Sequence, residues 1–141
     1  RLRALGFNAV RLHHLDTLPG PADAAQPRSV LTPGPYPSFN ANAISRLRGL
    51  INALRAEGIY VDLNLRVGYI FRPQVDGVAT YEPARMKRPI ATPIVVYDKR
   101  MRALQQQYAR ELIDRLGLAD DPALAMVEIN NESSLLAAWQ R

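Results

Sequence analysis

Residues 123–132 read Ala-Leu-Ala-Met-Val-Glu-Ile-Asn-Asn-Glu, an apolar run that ends in polar side chains. Buried strands of a parallel sheet are usually near-continuous apolar runs, so the amides and carboxylates that end this one need a separate explanation. In a (β/α)8 barrel the active site lies at the C-terminal ends of the strands, where Asn131 and Glu132 would be placed. The stretch therefore indicates a strand that carries catalytic side chains to one edge of a parallel sheet.

The rest of the chain alternates predicted strands and helices. Strands are predicted at about 8–13, at about 59–67 and after Asp121-Pro122, and helices at about 43–57 and 99–116. Asp98 is the expected cap of the second helix, and Gly58 and Gly117 end the two helices. The order β-α-β-α-β favours an α/β domain whose parallel strands are joined by right-handed helical crossovers.

The predicted connections differ strongly in length. Each connection from a strand to a helix takes about 25 to 30 residues, whereas those from a helix to a strand take only a few, against a usual 2 to 6 for either kind. Long loops of this kind in a compact domain usually have a function. The long loops of the chain therefore all follow the C-terminal ends of the predicted strands.

Alternation along each predicted strand gives it one apolar and one polar face, because side chains two residues apart point the same way. The polar faces carry Arg11 and His13 on the first strand, Asp62, Asn64 and Arg66 on the second, and Glu128, Asn130 and Glu132 on the third. A doubly wound sheet would cover such faces with helices, whereas a barrel gathers them around one axis. We therefore expect Arg11, Asn64, Glu128 and Glu132 to share one side of the sheet, with Glu128 as a buried partner of Arg11 or Arg66.

Composition narrows the classes of protein. The chain has 141 residues, 48% of them hydrophobic and 22% charged, and no apolar run approaches the roughly 18 residues needed to span a bilayer. The absence of cysteine removes disulfide scaffolds and thiolate metal sites. The net charge is +5, which could suit a protein that binds nucleic acid. The 16 arginines and two lysines of the chain are, however, scattered along it, without the interleaved aromatic residues that stack on bases. We therefore expect a soluble protein that binds neither nucleic acid nor membrane.

Several candidate residues have a structural interpretation beside the functional one. Glu132 would also suit the opening of a helix, where a carboxylate complements the dipole. His13, His14 and Asp16 suggest a metal site, but adjacent histidines on a strand point to opposite faces and need a bend to bind one ion. No metal site is therefore predicted. The aromatic residues of the loops would either line sugar subsites or pack the loops; they are Tyr36, Phe39, Tyr69, Phe71, Tyr81 and Trp139.

Three segments together resemble a known family. They are 6–12, reading GFNAVRL, 58–64, reading GIYVDLN, and 127–132, reading VEINNE. In this order they resemble strands two, three and four of clan A glycoside hydrolases, and are most similar to cellulase-like members of family 5. The resemblance spans nearly the whole chain and implies a partial (β/α)8 TIM barrel.

The resemblance implies a role for each matching residue. Glu132 would be the general acid/base of a retaining mechanism, Asn131 would bind the sugar 2-hydroxyl, and Arg11 would support the catalytic nucleophile. His13, Asn64 and Arg66 are the further candidates for substrate binding; many relatives have a histidine near the position of Arg66. The nucleophile would be a glutamate on strand seven, beyond residue 141. A carboxyl that acts as an acid needs a raised pKa, which a nearby negative nucleophile provides.

The expected protein is thus a glycosidase that hydrolyses β-linked polysaccharide or oligosaccharide without a cofactor. Residues 1–141 would be one fragment of a single catalytic domain, incomplete at both ends and inactive in isolation. The resemblance favours a secreted or extracytoplasmic location. Two alternatives remain, a metal-dependent barrel hydrolase and a catalytically silent barrel that binds carbohydrate.

Overall fold

The chain forms an α/β fold around a three-stranded parallel sheet. The computed structural model describes residues 1–18, 29–80 and 94–131. Strands β1 (Ala9–Leu12), β2 (Tyr60–Asn64) and β3 (Leu124–Glu128) lie side by side in the order in which they occur in the chain. Both pairings are parallel, which confirms the predicted topology. The sheet is open, with helices packed alongside it.

Helix α1 (Ala41–Ala56) connects β1 to β2. It begins two residues earlier than predicted, because the side chain of Asn40 accepts a hydrogen bond from the Ala43 amide and caps the first turn. The chain leaves the helix through Gly58, whose φ of 67° lies in the left-handed region that favours glycine. Only three residues, 57–59, then separate the helix from β2.

The connection from β2 to β3 contains three helices among the described residues. Two are single turns, α2 (Pro73–Asp76) and α3 (Ile94–Tyr97), which lie in the predicted long loop. The third, α4 (Lys99–Leu116), has the predicted bounds. Asp98 accepts a hydrogen bond from the Met101 amide at 2.7 Å, and Gly117 ends the helix with a φ of 70°.

The hydrophobic core lies between the two long helices and one face of the sheet. Val61 and Leu63 of β2 are completely buried, as is Leu112 of α4. The other core positions of the helices keep helical spacing; they are Ile44, Ile51 and Leu54 in α1 and Met101, Leu104, Tyr108 and Leu116 in α4. Since the apolar side chains of β2 face these helices, its alternate residues Asp62 and Asn64 face the opposite side of the sheet.

The pairing of β2 with β3 contains a one-residue register shift. Val61 pairs with Leu124, but Asp62 pairs with Met126, so Ala125 has no partner in β2. Beyond the shift Leu63 pairs with Val127 and Asn64 with Glu128. The shift places the side chain of Glu128 on the same face as Asn64.

Near the N-terminus the chain forms a short 3-10 turn at Arg3–Leu5, which Gly6 ends with a φ of 87°. Among the described residues, no helix is both long and apolar enough to cross a membrane.

Candidate functional site

The polar face of the sheet brings together one charged side chain from each strand. Arg11 of β1 is the register partner of Asp62 in β2, and Glu128 of β3 is the partner of Asn64. Because parallel strands end at the same edge, these four side chains form a cluster near the C-terminal ends of the strands. We call Arg11, Asp62, Asn64 and Glu128 the sheet cluster.

Arg11 and Glu128 form the central contact of the sheet cluster. Nε of Arg11 donates to both carboxylate oxygens of Glu128, at 3.1 and 3.0 Å, and Nη2 donates to Oε2 at 2.5 Å. Two donors of one guanidinium thus bind one carboxylate, the arrangement that fixes both groups in orientation. The expected ion pair is confirmed, but the expected burial of Glu128 is wrong, because its side chain is 34% exposed. The polar face is open to solvent at this point.

Asn131 extends the cluster beyond the end of β3. Its Oδ1 accepts a hydrogen bond from Nη2 of Arg11 at 3.0 Å. Its backbone amide donates to the carbonyl of Arg66 at 3.0 Å, which ties the chain after β3 to the chain after β2. Arg11 therefore orients an amide side chain that directly precedes Glu132 in the sequence. Glu132 itself lies outside the described residues.

Asp62 is the buried carboxyl of the cluster. It is only 7% exposed, and its Oδ2 lies 4.0 Å from Nε of Arg11, too far for a hydrogen bond. Burial raises the pKa of Asp62, the negative charge of Glu128 raises it further, and Arg11 opposes this shift. Hydrogen bonds from Arg11 and Asn64 lower the pKa of Glu128. The two carboxyl groups therefore differ, because the pKa of Asp62 is raised and that of Glu128 is lowered.

Asn64 is completely buried and supports Glu128 from β2. Its Nδ2 donates a hydrogen bond to Oε2 of Glu128. Its Oδ1 is buried without a hydrogen-bond partner in the structure, as are Oδ1 of Asp62 and Oδ1 of Asn130. Buried polar atoms normally have a partner, and unpartnered ones also occur away from the strand ends, at the hydroxyls of Tyr36 and Tyr108.

Arg66 lies apart from the sheet cluster. It is 8% exposed, and its Nη2 donates a weak hydrogen bond to the carbonyl of Tyr69 at 3.5 Å. Burial lowers the pKa of its guanidinium, and the nearby groups of Asp16 and Tyr36 oppose that shift. The side chain thus faces the inside of the loop that follows β2, and the structure does not join it to Glu128.

His13 and His14 lie at the end of β1. The strand ends at Leu12, and His14 adopts a φ of 60°, a left-handed conformation that is uncommon outside glycine. This bend brings the two imidazole rings edge to face, with their centroids 4.3 Å apart. The rule that neighbouring side chains point apart therefore does not hold here. Nδ1 of His13 is buried and has no hydrogen-bond partner in the structure.

The carboxylate of Asp16 binds backbone amides and is not arranged as a metal ligand. Its carboxylate is completely buried and accepts hydrogen bonds from the amides of Val67, Gly68 and Tyr69, at 3.0 to 3.3 Å. These bonds attach the loop after β1 to the loop after β2. Within the described ranges no group of three or more histidine, aspartate or glutamate side chains could hold a metal ion.

The loop aromatic residues within the described ranges pack against one another. Tyr36 and Tyr69 are 4% and 2% exposed, and their ring centroids lie 4.1 Å apart. Phe71 meets both rings edge to face, and Phe39 stacks on Tyr108 of α4. For these residues the structure favours loop packing over contact with a ligand. Tyr81 and Trp139 lie outside the described residues.

The structure thus brings together Arg11, Asn64, Glu128 and Asn131, and sets Arg66 apart. Asp62 was absent from the candidate site residues, although its place on the polar face of the second strand was the signal that could have identified it. Comparison of the chain with protein-family models, with curated proteins and with solved structures gives no match in any of the three.

Proposed function

We propose that these residues are part of the (β/α)8 barrel of a retaining O-glycoside hydrolase that acts on β-linked polysaccharide or oligosaccharide. In this proposal β1, β2 and β3 are strands two, three and four of the barrel. The observation that carries it is the hydrogen bond of 3.0 Å between Nη2 of Arg11 and Oδ1 of Asn131. It places an amide at the C-terminal edge of the sheet, directly before Glu132 in the sequence.

The arrangement of the sheet supports the barrel. One face of β2 packs under the helices, whereas the other carries Asp62 and Asn64 in contact with Arg11 and Glu128. A polar face of this kind suits the interior of a barrel near its catalytic end, where such groups neutralise one another and reach a substrate. The long connections, residues 13–40 and 65–98, follow β1 and β2 in the chain, and in this proposal they build the catalytic side of the barrel.

The chemistry of retaining hydrolysis assigns a task to each group. One carboxyl protonates the oxygen of the leaving sugar, and a second, about 5 Å away, attacks the anomeric carbon. Glu132 is the proposed proton donor, and Asn131 is the proposed donor to the sugar 2-hydroxyl. Arg11 holds Asn131 in place and would hold the nucleophile, which the proposal assigns to a strand beyond residue 141. Glu128 is the counterion that keeps Arg11 oriented toward this edge.

The test compares two substrates in the full-length protein that contains these residues. Loss of a proton donor should matter most when the leaving oxygen is a poor leaving group. Glu132→Ala should therefore slow hydrolysis of a natural β-linked oligosaccharide by on the order of 10²- to 10⁴-fold. With a dinitrophenyl glycoside the first step should survive, and a covalent sugar–enzyme intermediate should accumulate.

Added azide completes the test, because azide attacks the intermediate without a general base. Turnover of the dinitrophenyl glycoside by Glu132→Ala should then recover and give a glycosyl azide of retained configuration. Glu57→Ala, which changes an exposed glutamate at the end of α1, is the control and should behave as the unmodified protein. Equal loss on both substrates without azide rescue would show that Glu132 is not the acid/base.

A further inference from the structure

Asp62 is a buried ionisable group that the proposed mechanism does not use. It is the register partner of Arg11 in β1, and its side chain is in hydrogen-bond contact with that of Glu128 in β3. These are the charged groups that face it from the two neighbouring strands within the described residues. Two carboxyl groups and one guanidinium therefore share this face. If both carboxyl groups were ionised, their two negative charges would outnumber the one positive charge of Arg11.

The hydrogen bonds show which carboxyl serves Arg11. Nε and Nη2 of Arg11 are both directed at Glu128, whereas Oδ2 of Asp62 is 4.0 Å from Nε. The side chain of Asp62 is 10% exposed and that of Glu128 is 34% exposed, so Asp62 also has less contact with water. A buried carboxylate without a hydrogen-bond donor is costly, and Oδ1 of Asp62 has no partner.

A proton on Asp62 removes this cost. A protonated carboxyl is a donor as well as an acceptor, and the neighbouring Glu128 carboxylate is an acceptor. We infer that Asp62 and Glu128 share one proton, carried by Asp62, and that Asp62 is thereby a positioning residue that holds Glu128 in the orientation that binds Arg11. The opposite directions in which the pKa values of the two carboxyl groups depart from normal agree with this arrangement. The inference does not depend on the proposed function, because it concerns the orientation of Arg11 whatever reaction the protein performs.

The first test is the pH dependence of stability in the full-length protein. Asn is nearly the same shape as a protonated Asp and can donate to Glu128 at every pH. A raised pKa in the folded state makes the folded protein bind more protons, so the contribution of Asp62 to wild-type stability is lost as the pH rises above the ordinary value of 3.8. The midpoint of thermal unfolding of Asp62→Asn should therefore rise relative to wild type between about pH 4 and about pH 7. Asp120→Asn, an exposed aspartate in the turn before β3, is the matched control and should show no such rise.

The second test is a direct titration of the Asp62 carboxyl carbon by NMR in the wild-type protein, which needs no variant to fold. Asp62 should titrate above the ordinary value of 3.8. The inference is overturned if Asp62 titrates below that value, or if Asp62→Asn loses stability relative to wild type as the pH rises. Either result would show that Asp62 is an ionised counterion of Arg11. Failure of the Glu132 experiment would leave both tests unaffected, so the two proposals fail separately.

Discussion

Asp76 accepts the backbone amide of Tyr36 at 2.9 Å, across a separation of 40 residues. The same carboxylate accepts the hydroxyl of Tyr69 and the backbone amide of Arg72, and its side chain has no exposure to solvent. Arg72 in turn donates to the carbonyls of Pro33 and Gly34. One buried acid therefore joins the loop that follows β1 to the loop that follows β2.

This junction should be sensitive to the loss of Asp76. Asp76→Ala would remove the acceptor of two buried donors and one part-buried donor, and removing one partner from a buried, charged network typically costs about 3 to 5 kcal/mol. The free energy of unfolding of the full-length protein, measured by urea titration, should fall by about that amount. Asp120→Ala is the control and should stay within about 0.5 kcal/mol of wild type. A similarly small change in Asp76→Ala would mean that the two loops are held together by other contacts.

Asp16 anchors the same two loops at a second point. Its carboxylate accepts three backbone amides, whereas an Asn side chain has only one acceptor oxygen and would direct its own N–H groups at some of these donors. Asp16→Asn should therefore lower the free energy of unfolding by about 1 to 3 kcal/mol, the cost of leaving a buried donor unsatisfied. Proteolysis should show earlier cleavage in the loops after β1 and β2. A variant as resistant and stable as wild type would count against this anchor.

Glu128 should make stability depend on pH in the opposite sense to Asp62. Its pKa is lowered in the folded state by the hydrogen bonds from Arg11 and Asn64. Its contribution is therefore present above the ordinary pKa of 4.5 and is lost as the pH falls through the lower, folded value. Glu128→Gln should be less stable than wild type at about pH 7 and approach it in acid. A difference that stays constant in thermal unfolding across this range would contradict the assigned pairing.

Arg11→Lys should separate the shape of the side chain from its charge. Lysine keeps the positive charge but lacks the planar fork that binds Glu128 through two donors while a third contact reaches Asn131. If the proposed function is correct, misplacement of Asn131 should lower kcat/KM by about 10²-fold. Arg46→Lys, on the exposed face of α1, is the control. Unchanged activity of Arg11→Lys would show that the guanidinium fork is not needed.

The sequence predicts those parts of the structure that depend on neighbouring residues. Helix α4 has its predicted bounds because Asp98 and Gly117 lie at its two ends and act locally. The polar face follows from the alternation of side chains, and the contact between Arg11 and Glu128 confirms it. These features need only the periodicity of helices and strands and the chemistry of their ends.

Features that depend on distant contacts were not predicted. The burial of Arg66 arises because residues far away in the sequence, such as Asp16, pack around the loop that follows β2. The exposure of Glu128 depends on what covers the open face, which no local pattern records. His14 bends the chain through a left-handed conformation that residue preferences do not favour, and this brings it against His13. In each case tertiary packing decides the outcome.

The unpaired Ala125 reverses the alternation of side chains along β3. Residues before it follow one alternation, with Leu124 beside Val61, and residues after it follow the other, with Glu128 beside Asn64. Because a strand has a repeat of two, uninterrupted alternation from Leu124 would put Glu128, four residues later, on the same face as Leu124, beside the helices. The extra residue reverses the alternation, so that Glu128 shares the face of Asn64 and Val127 that of Leu63. An alanine without a functional group thus marks the point at which the charged side chains of β3 change to the open side of the sheet.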